Sequence, residues 1–178
     1  GRPIFGFSSI EFGEAMMSIS KDIEIIPAHC WTPWYGIFGS MSGFDSLEEC
    51  FREKAKYIHC IETGLSSDPA MNWRISALDS LTLTSNSDAH SPYPWRLGRE
   101  ANVFDFKEVN FENIINAFRN RKDFAYTIET SPNYGKYHYD GHRACNFSCS
   151  PDETKKLSDV CPKCGKKLVI GVLNRVEQ

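Results

Sequence analysis

Three short apolar, β-branched runs in this chain each stop at a side chain able to hold a cation or move a proton. The run "IEIIPAH" ends at His29, "YIHCIETG" reaches Glu62, and "LTLTSNSDAH" ends in the pair Asp88 and His90. Helix signals lie between the runs. Ser8 and Glu11 form a capping box that opens a helix reaching Ile19, and Asp45 and Glu48 form another before "SLEECFREKAKY". Asp68-Pro69 places an N-cap and a first-turn proline ahead of "PAMNWRISALD". Asn110 caps "FENIINAFRN", where Phe111, Ile114, Ile115 and Phe118 share one face. Strands are expected at 23–27, at 80–86 and in "DFAYTIET", and long loops at "CWTPWYGIFGSMSG" and ahead of Asn110. This alternation predicts an α/β fold with a parallel sheet covered by helices. In such folds chemistry sits at the carboxyl ends of the strands, where these polar residues lie.

The D-x-H triplet puts Asp88 and His90 on one side of an extended strand end. Imidazole and carboxylate are the donors that divalent ions take in hydrolytic sites. An isolated D-x-H is common by chance, so the convergence of three strand ends carries the weight. Arg96 and Arg99, just beyond the triplet, are candidates to hold a phosphate, or equally to pair with Glu100 or stay solvated. Trp31, Trp34, Tyr35 and Phe38 could stack on bases or simply pack the rim of the scaffold. Cys30 and Cys60 adjoin the strand ends and read as small core residues.

Beyond residue 131 the periodicity is lost. Four of the seven cysteines lie in the last 34 residues. Cys145 and Cys149 form a C-x3-C pair, and Cys161 and Cys164 sit in the knuckle "CPKCGKK". Two such pairs can wrap one tetrahedral Zn²⁺, which would supply much of the folding energy of so short a segment. His138 and His142 could stand in for a cysteine, although four thiolates already close the shell. An odd, clustered set of cysteines without a secretory signal points to a reducing, cytoplasmic compartment. No apolar run approaches a membrane span. The net charge of −3 divides into −6 over residues 1–131 and +3 over 132–178. A polyanion would therefore have to be met by local basic patches or by metal ions.

The motifs "IIPAHCWTPW", "IETGLSSDPAMNWR", "SNSDAHSP", "LGREANVF" and "KYHYDGHRAC" with "CPKCGKKLVIGVLNRVEQ" resemble endonuclease Q. This family of DNA-repair nucleases is built on a polymerase-and-histidinol-phosphatase (PHP) domain, and the likeness runs from "GRPIFG" to the end of the chain. The resemblance implies the C-terminal part of a distorted (β/α)7 PHP-type barrel over residues 1–131, followed by a small four-cysteine zinc-ribbon-like module over 132–178. It implies that His29, Asp88 and His90 are metal-binding and catalytic. Glu62 falls at the rim of the site, and with Trp34, Arg96 and Arg99 it forms the substrate-side set. Cys145, Cys149, Cys161 and Cys164 hold a structural Zn²⁺, while Zn²⁺, Mn²⁺ or Mg²⁺ serves catalysis. The implied substrate is DNA containing uracil, hypoxanthine, xanthine or an abasic site, nicked on the 5′ side of the lesion after the base is extruded. A sliding clamp is a further candidate partner, and no membrane is involved. The family's H-x-H strand is not in this sequence, since His29 is its first histidine. The chain, which opens Gly-Arg-Pro, therefore reads as an internal fragment expected to be inactive alone. Two other readings stay open: a PHP-type phosphoesterase acting on a small phosphorylated metabolite, and a non-catalytic zinc-module adaptor for nucleic acid.

Overall fold

A computed structural model describes residues 4–178, so the opening "GRP" of the motif above lies outside the described residues. Helix α1 (Ser9–Ile19) carries the expected capping box at Ser8 and Glu11. The stretch at 23–27 is extended but forms no regular strand. It meets the neighbouring chain through Pro27 O, which accepts from Glu62 N, and Cys30 N, which donates to Glu62 O. Proline has no N–H to give, so the ladder cannot run on. Helix α2 (Leu47–Phe51) is capped one residue later than expected. Ser46 Oγ accepts from Glu49 N, while Glu49 Oε2 receives Asp45 N.

Strand β1 (Cys60–Glu62) and strand β2 (Thr82–Thr84) form a parallel pair in the register Ile61 to Leu83. Between them, helix α3 (Pro69–Asn72) starts at the Asp68 cap as expected, but stops early. Ile75 turns extended, and a 3₁₀ turn follows at Ser76–Leu78. Breaking the helix there lets Ile75 and Leu78 pack on the core.

The parallel arrangement stops at this pair. Strand β3 (Ala101–Phe104), in a stretch expected to be loop, pairs antiparallel with strand β4 (Phe124–Ile128). Helix α4 (Phe111–Asn120), capped by Asn110, connects them. Phe104, Phe118 and Phe124 meet edge to face or tilted beneath the helix, which is what its apolar stripe is for. The last turn of α4 is sewn to the parallel pair. Phe118 O accepts from both Thr82 Oγ1 (2.7 Å) and Cys60 Sγ (3.3 Å). Arg119 reaches Glu24 at 2.7 Å, and Glu24 also meets His59.

The C-terminal segment holds a hairpin of β5 (Asp140–His142) and β6 (Phe147–Cys149), a capped helix α5 (Pro151–Lys156), and helix α6 (Val172–Glu177). Its own small core gathers Cys149, Cys161 and Leu168. Helix α6 leaves that core and packs Val172 and Val176 into the main one, beside Trp31 and Phe38. Six residues cannot hold a helix in water. Two buried valines contribute roughly 3 kcal/mol together, and hydrogen bonds fix the angle. Arg175 Nε donates to Phe38 O, Ser40 Oγ donates to Ile170 O, and Arg175 pairs with Asp45.

The fully buried Asp140 joins the hairpin to this helix. Its Oδ1 accepts from Gly171 N at 2.6 Å and its Oδ2 from Asn174 Nδ2 at 2.5 Å. Asp140→Ala strands both donors in the interior and should cost about 3 kcal/mol of stability. A drop in the urea midpoint with an unchanged slope is the expected result.

Candidate functional site

The carboxyl ends of the parallel pair and of the extended stretch beside it open into a cavity of about 400 Å³. His29, Asp88, Trp34 and Lys136 line it. The two candidate ligands share a backbone peculiarity. His29 has φ 35° and Asp88 φ 44°, the left-handed region that residues with a Cβ rarely adopt. Each such residue costs on the order of 1 kcal/mol and persists only where its surroundings hold it.

Glu62 supplies much of that hold. Its side chain is buried at the end of β1, where Oε2 accepts from the His29 amide at 2.5 Å and Oε1 from Asn86 Nδ2 at 2.9 Å. Asn86 Oδ1 accepts in turn from Asn102 Nδ2, and Asn102 exchanges hydrogen bonds with both main-chain groups of Ser85. One carboxylate thus ties the His29 turn to the segment leading into Asp88. Gly64, at φ 70°, lets the chain pass directly under His29. A Cβ there would stand 2.8 Å from the His29 Cβ.

The other expected site residues fall differently. His90 is exposed and does not line the cavity. Its Nδ1 lies 2.8 Å from Asp88 O and 3.7 Å from Asp88 Oδ1. Arg99 sets Nε and Nη2 on a single acceptor, Ser87 O, at 3.0 and 2.8 Å, bracing the loop beside Asp88. Arg96 ends an exposed 3₁₀ turn at Pro94–Arg96. Of the early aromatics, Trp31 and Phe38 are core, while Trp34 and Tyr35 stand at the cavity edge. Cys30 and Cys60 are fully buried, and burial, then the Glu24 carboxylate, push the Cys60 thiol up to about 12.

Two acids that sequence reasoning missed lie near Glu62. Glu100 is buried, with Oε2 receiving Ser85 Oγ at 3.3 Å and Oε1 receiving Thr130 N at 3.4 Å. Burial first, then the Glu129 carboxylate, push its carboxyl up to about 7. Burial likewise raises Glu129, whose Oε2 accepts from Thr63 Oγ1. The sequence signal for this pair would have been the antiparallel pairing of β3 with β4, just beyond whose Ala101–Ile128 end the two acids lie.

The cysteine module gathers differently from the expectation of four thiolates. His142, Cys145, Cys161 and Cys164 bring their ligand atoms within 4.8 Å of one another, the one group of three or more such donors among the described residues. Cys149 is not part of it. Its position in β6 points the thiol into the small core, where Sγ lies 3.2 Å from Thr154 Oγ1. His142, on the facing strand, takes the fourth place, with Nδ1 3.2 Å from both Cys145 and Cys164 Sγ. Gly165, at φ 72°, turns the knuckle. Burial alone would raise the Cys161 thiol, but the amides of Lys163 and Cys164 and the His142 ring outweigh it and bring it down to about 7. One imidazole and three thiolates make a tetrahedral donor set that fits a structural metal. His138, the other histidine considered, instead faces Ser66 O at 2.9 Å.

Parallel strand ends that present an imidazole and a carboxylate to one cavity, followed by a His/Cys3 knuckle, make this an α/β chain with a metal-binding cluster. No family model matches it. Two solved structures do. One is Endonuclease Q in complex with a 27-mer duplex substrate with an abasic lesion at the active site (36% identity, TM-score 0.86, 99% of this chain and 44% of that one). The other is the lesion-specific endonuclease PfuEndoQ from Pyrococcus furiosus (36%, 0.82, 99% and 43%). Among curated relatives, an uncharacterized protein of Methanocaldococcus jannaschii is 39% identical over 155 residues, 84% of this chain and 19% of its own length. Uncharacterized protein YqxK of Bacillus subtilis is 29% identical over 96% of this chain and 44% of its own. The resemblance to endonuclease Q therefore holds in both sequence and fold along nearly the whole chain, which spans less than half the length of each of these relatives.

Two measurements check this geometry. In elemental analysis, Cys149→Ser should keep the single bound ion, whereas His142→Ala and Cys161→Ser should lose it. The second concerns Glu100. The folded protein holds its proton more tightly than the unfolded chain, so the stabilisation is fully present below its ordinary value of 4.5 and is lost as pH rises through about 7. Melting curves at pH 5 and pH 8 should show Glu100→Gln flattening that decline, with the variant gaining on the wild type at the higher pH.

Proposed function

We propose that the chain is part of a metal-dependent DNA-repair endonuclease that nicks 5′ of deaminated bases (uracil, hypoxanthine, xanthine) and abasic sites. The observation that carries this reading is the convergence of His29 and Asp88 on one cavity, in a chain that matches Endonuclease Q over 99% of its length. On this reading residues 1–131 belong to a PHP-type barrel and 132–178 to a zinc module whose last helix returns to the barrel's core.

His29 and Asp88 offer the donor types that hard or borderline divalent ions accept, with His90 joining them once its ring turns from the Asp88 main chain. Zn²⁺, Mn²⁺ or Mg²⁺ held there would supply Lewis acidity for in-line attack of water on a phosphodiester. The chain's own residues then have separable tasks. Glu62 and Gly64 set the His29 backbone turn, Thr32 Oγ1 meets the His29 ring at Nδ1 (3.0 Å), and Arg99 braces the Asp88 loop. Lys136, on the cavity wall, is placed to meet a phosphate oxygen, and Trp34 at the edge offers a face to a base. Two ligand residues in the cavity are fewer than a hydrolytic cluster needs, so the activity belongs to a larger assembly than these residues alone. Zn²⁺ at His142, Cys145, Cys161 and Cys164 would be structural, since the four donors leave no open position. Seven free cysteines suit a reducing, cytoplasmic setting. Among the described residues, no helix is long and apolar enough to cross a membrane.

The test is Asp88→Ala in the full-length protein, assayed on duplex DNA containing uracil or an abasic site and, in parallel, on a generic phosphomonoester. Nicking by the wild type should fall by about a hundredfold or more in the variant, because losing a ligand removes the cation whose Lewis acidity the attack depends on. Turnover of the phosphomonoester alone would instead favour a small-molecule phosphoesterase, and undiminished nicking in the variant would remove Asp88 from the site.

A further inference from the structure

The loop that follows the Asp88–His90 pair carries a preformed aromatic stack that nothing in the fold uses. Tyr93 and Trp95 lie with ring centroids 4.7 Å apart and planes only 6° from parallel, and they remain 55% and 70% exposed. Leu97 beside them is 57% exposed. Two other stacked pairs, Phe104 with Phe106 in the aromatic cluster under α4 and Phe5 with Phe7 ahead of α1, lie away from the loop that follows Asp88. The Tyr93–Trp95 pair stands in solvent at the tip of a loop.

The loop is stiff, and it is keyed to the site. Pro92 and Pro94 fix two of its φ angles, and the 3₁₀ turn Pro94–Arg96 is closed by Arg96 N donating to Tyr93 O at 2.9 Å. Ser87, the residue before Asp88, holds the loop's return strand. Its Oγ receives Gly98 N at 2.9 Å, and its carbonyl receives the Arg99 guanidinium. The aromatic tip therefore keeps a set position relative to Asp88. Arg96 puts an exposed cation on the same turn.

A rigid, flat, apolar stack with a cation beside it suits a partner that is itself a flat ring attached to an anion, which is a nucleotide. A flat protein surface or a membrane would match neither the parallel planes nor the lone cation as well. We propose that Tyr93 and Trp95 stack on an unpaired base of the DNA strand held at the His29–Asp88 cavity, while Arg96 meets an adjacent phosphate. This inference rests on the nuclease reading above and adds the surface that would hold the strand next to the cut.

The experiment measures binding of the full-length protein to an abasic duplex over a range of salt concentrations, with melting curves recorded for every variant. Loss of stacking should lower affinity without changing its salt dependence, whereas loss of a phosphate contact should change that dependence. The double substitution Tyr93→Ala with Trp95→Ala is expected to weaken binding on the order of tenfold at every salt concentration. The slope of log affinity against log salt should stay the same. Arg96→Ala should reduce that slope by about one. A second double variant, Tyr93→Leu with Trp95→Leu, keeps apolar bulk and removes the ring planes. It should weaken binding comparably, and it serves if the alanine pair proves unstable. Either double variant binding as tightly as the wild type, in a folded protein, overturns the stacking proposal alone and leaves the aromatic loop to a protein partner. A wild type that does not bind the duplex overturns the nuclease reading, and this inference falls with it.

Discussion

The arrangement at the cavity depends on one buried carboxylate. Glu62 sits at the end of the fully buried strand β1 and spends its two oxygens on two different segments, the His29 amide and the Asn86 side chain. Hydrogen bonds to an ionised acceptor are roughly twice as strong as neutral ones. Those segments deliver His29 and Asp88, both held at positive φ, and local preference would relax both. A glutamine at this position would keep one acceptor and lose the other, leaving either His29 or the Asp88 segment free to turn. The close passage of Gly64 under His29 works toward the same end by a steric route. The site is thus held from inside the scaffold, while the faces of His29 and Asp88 that line the cavity stay open to whatever binds there.

A second constraint links the metal-binding cluster to this site. Asp140 belongs to the strand that also carries His142, yet its carboxylate is spent on the start of α6, whose valines lie in the main core. The hairpin that carries His142 is therefore registered against the main core beneath His29 and Asp88. Trp34 and Lys136 line both the first cavity and a second one bordered by His142, Arg143 and Phe147. The two centres share a wall at Trp34 and Lys136.

Much of this was legible in the sequence, and the failures share a cause. Most signals that act over a few residues held, although the cap expected at Asp45 falls on Ser46. The caps at Ser8, Asp68 and Asn110, the stripe of α4 and the knuckle at Cys161–Cys164 all appear where their spacing put them. What could not be read was decided by partners distant in sequence. "ANVF" has too little pattern to announce a strand until Phe124–Ile128 pairs with it, and that pairing makes an antiparallel unit where alternation had suggested a continuing parallel sheet. Cys149 was counted by its spacing from Cys145. The pleat of β6 instead turns it to the hairpin's inner face, and the facing strand brings His142 to the ion site. Arg99, a candidate to hold a phosphate or to pair with Glu100, is set on Ser87 O by the return of the loop.

The charges reinforce the same division between what builds the site and what would use it. Three acids, Glu62, Glu100 and Glu129, lie behind the cavity in partly or fully buried positions, and a like-charged neighbour helps hold Glu100 protonated up to about pH 7. Such a cluster is costly for the protein in isolation, because each carboxylate raises the energy of the next. A cation entering in front of it at His29 and Asp88 would ease the loss of the Glu100 proton. An acidic chain that carries −6 over its first 131 residues is then no obstacle to holding a polyanion. On the proposed reading, the acids would favour cations at His29 and Asp88, and those cations, with Lys136 at the wall, would favour a phosphate.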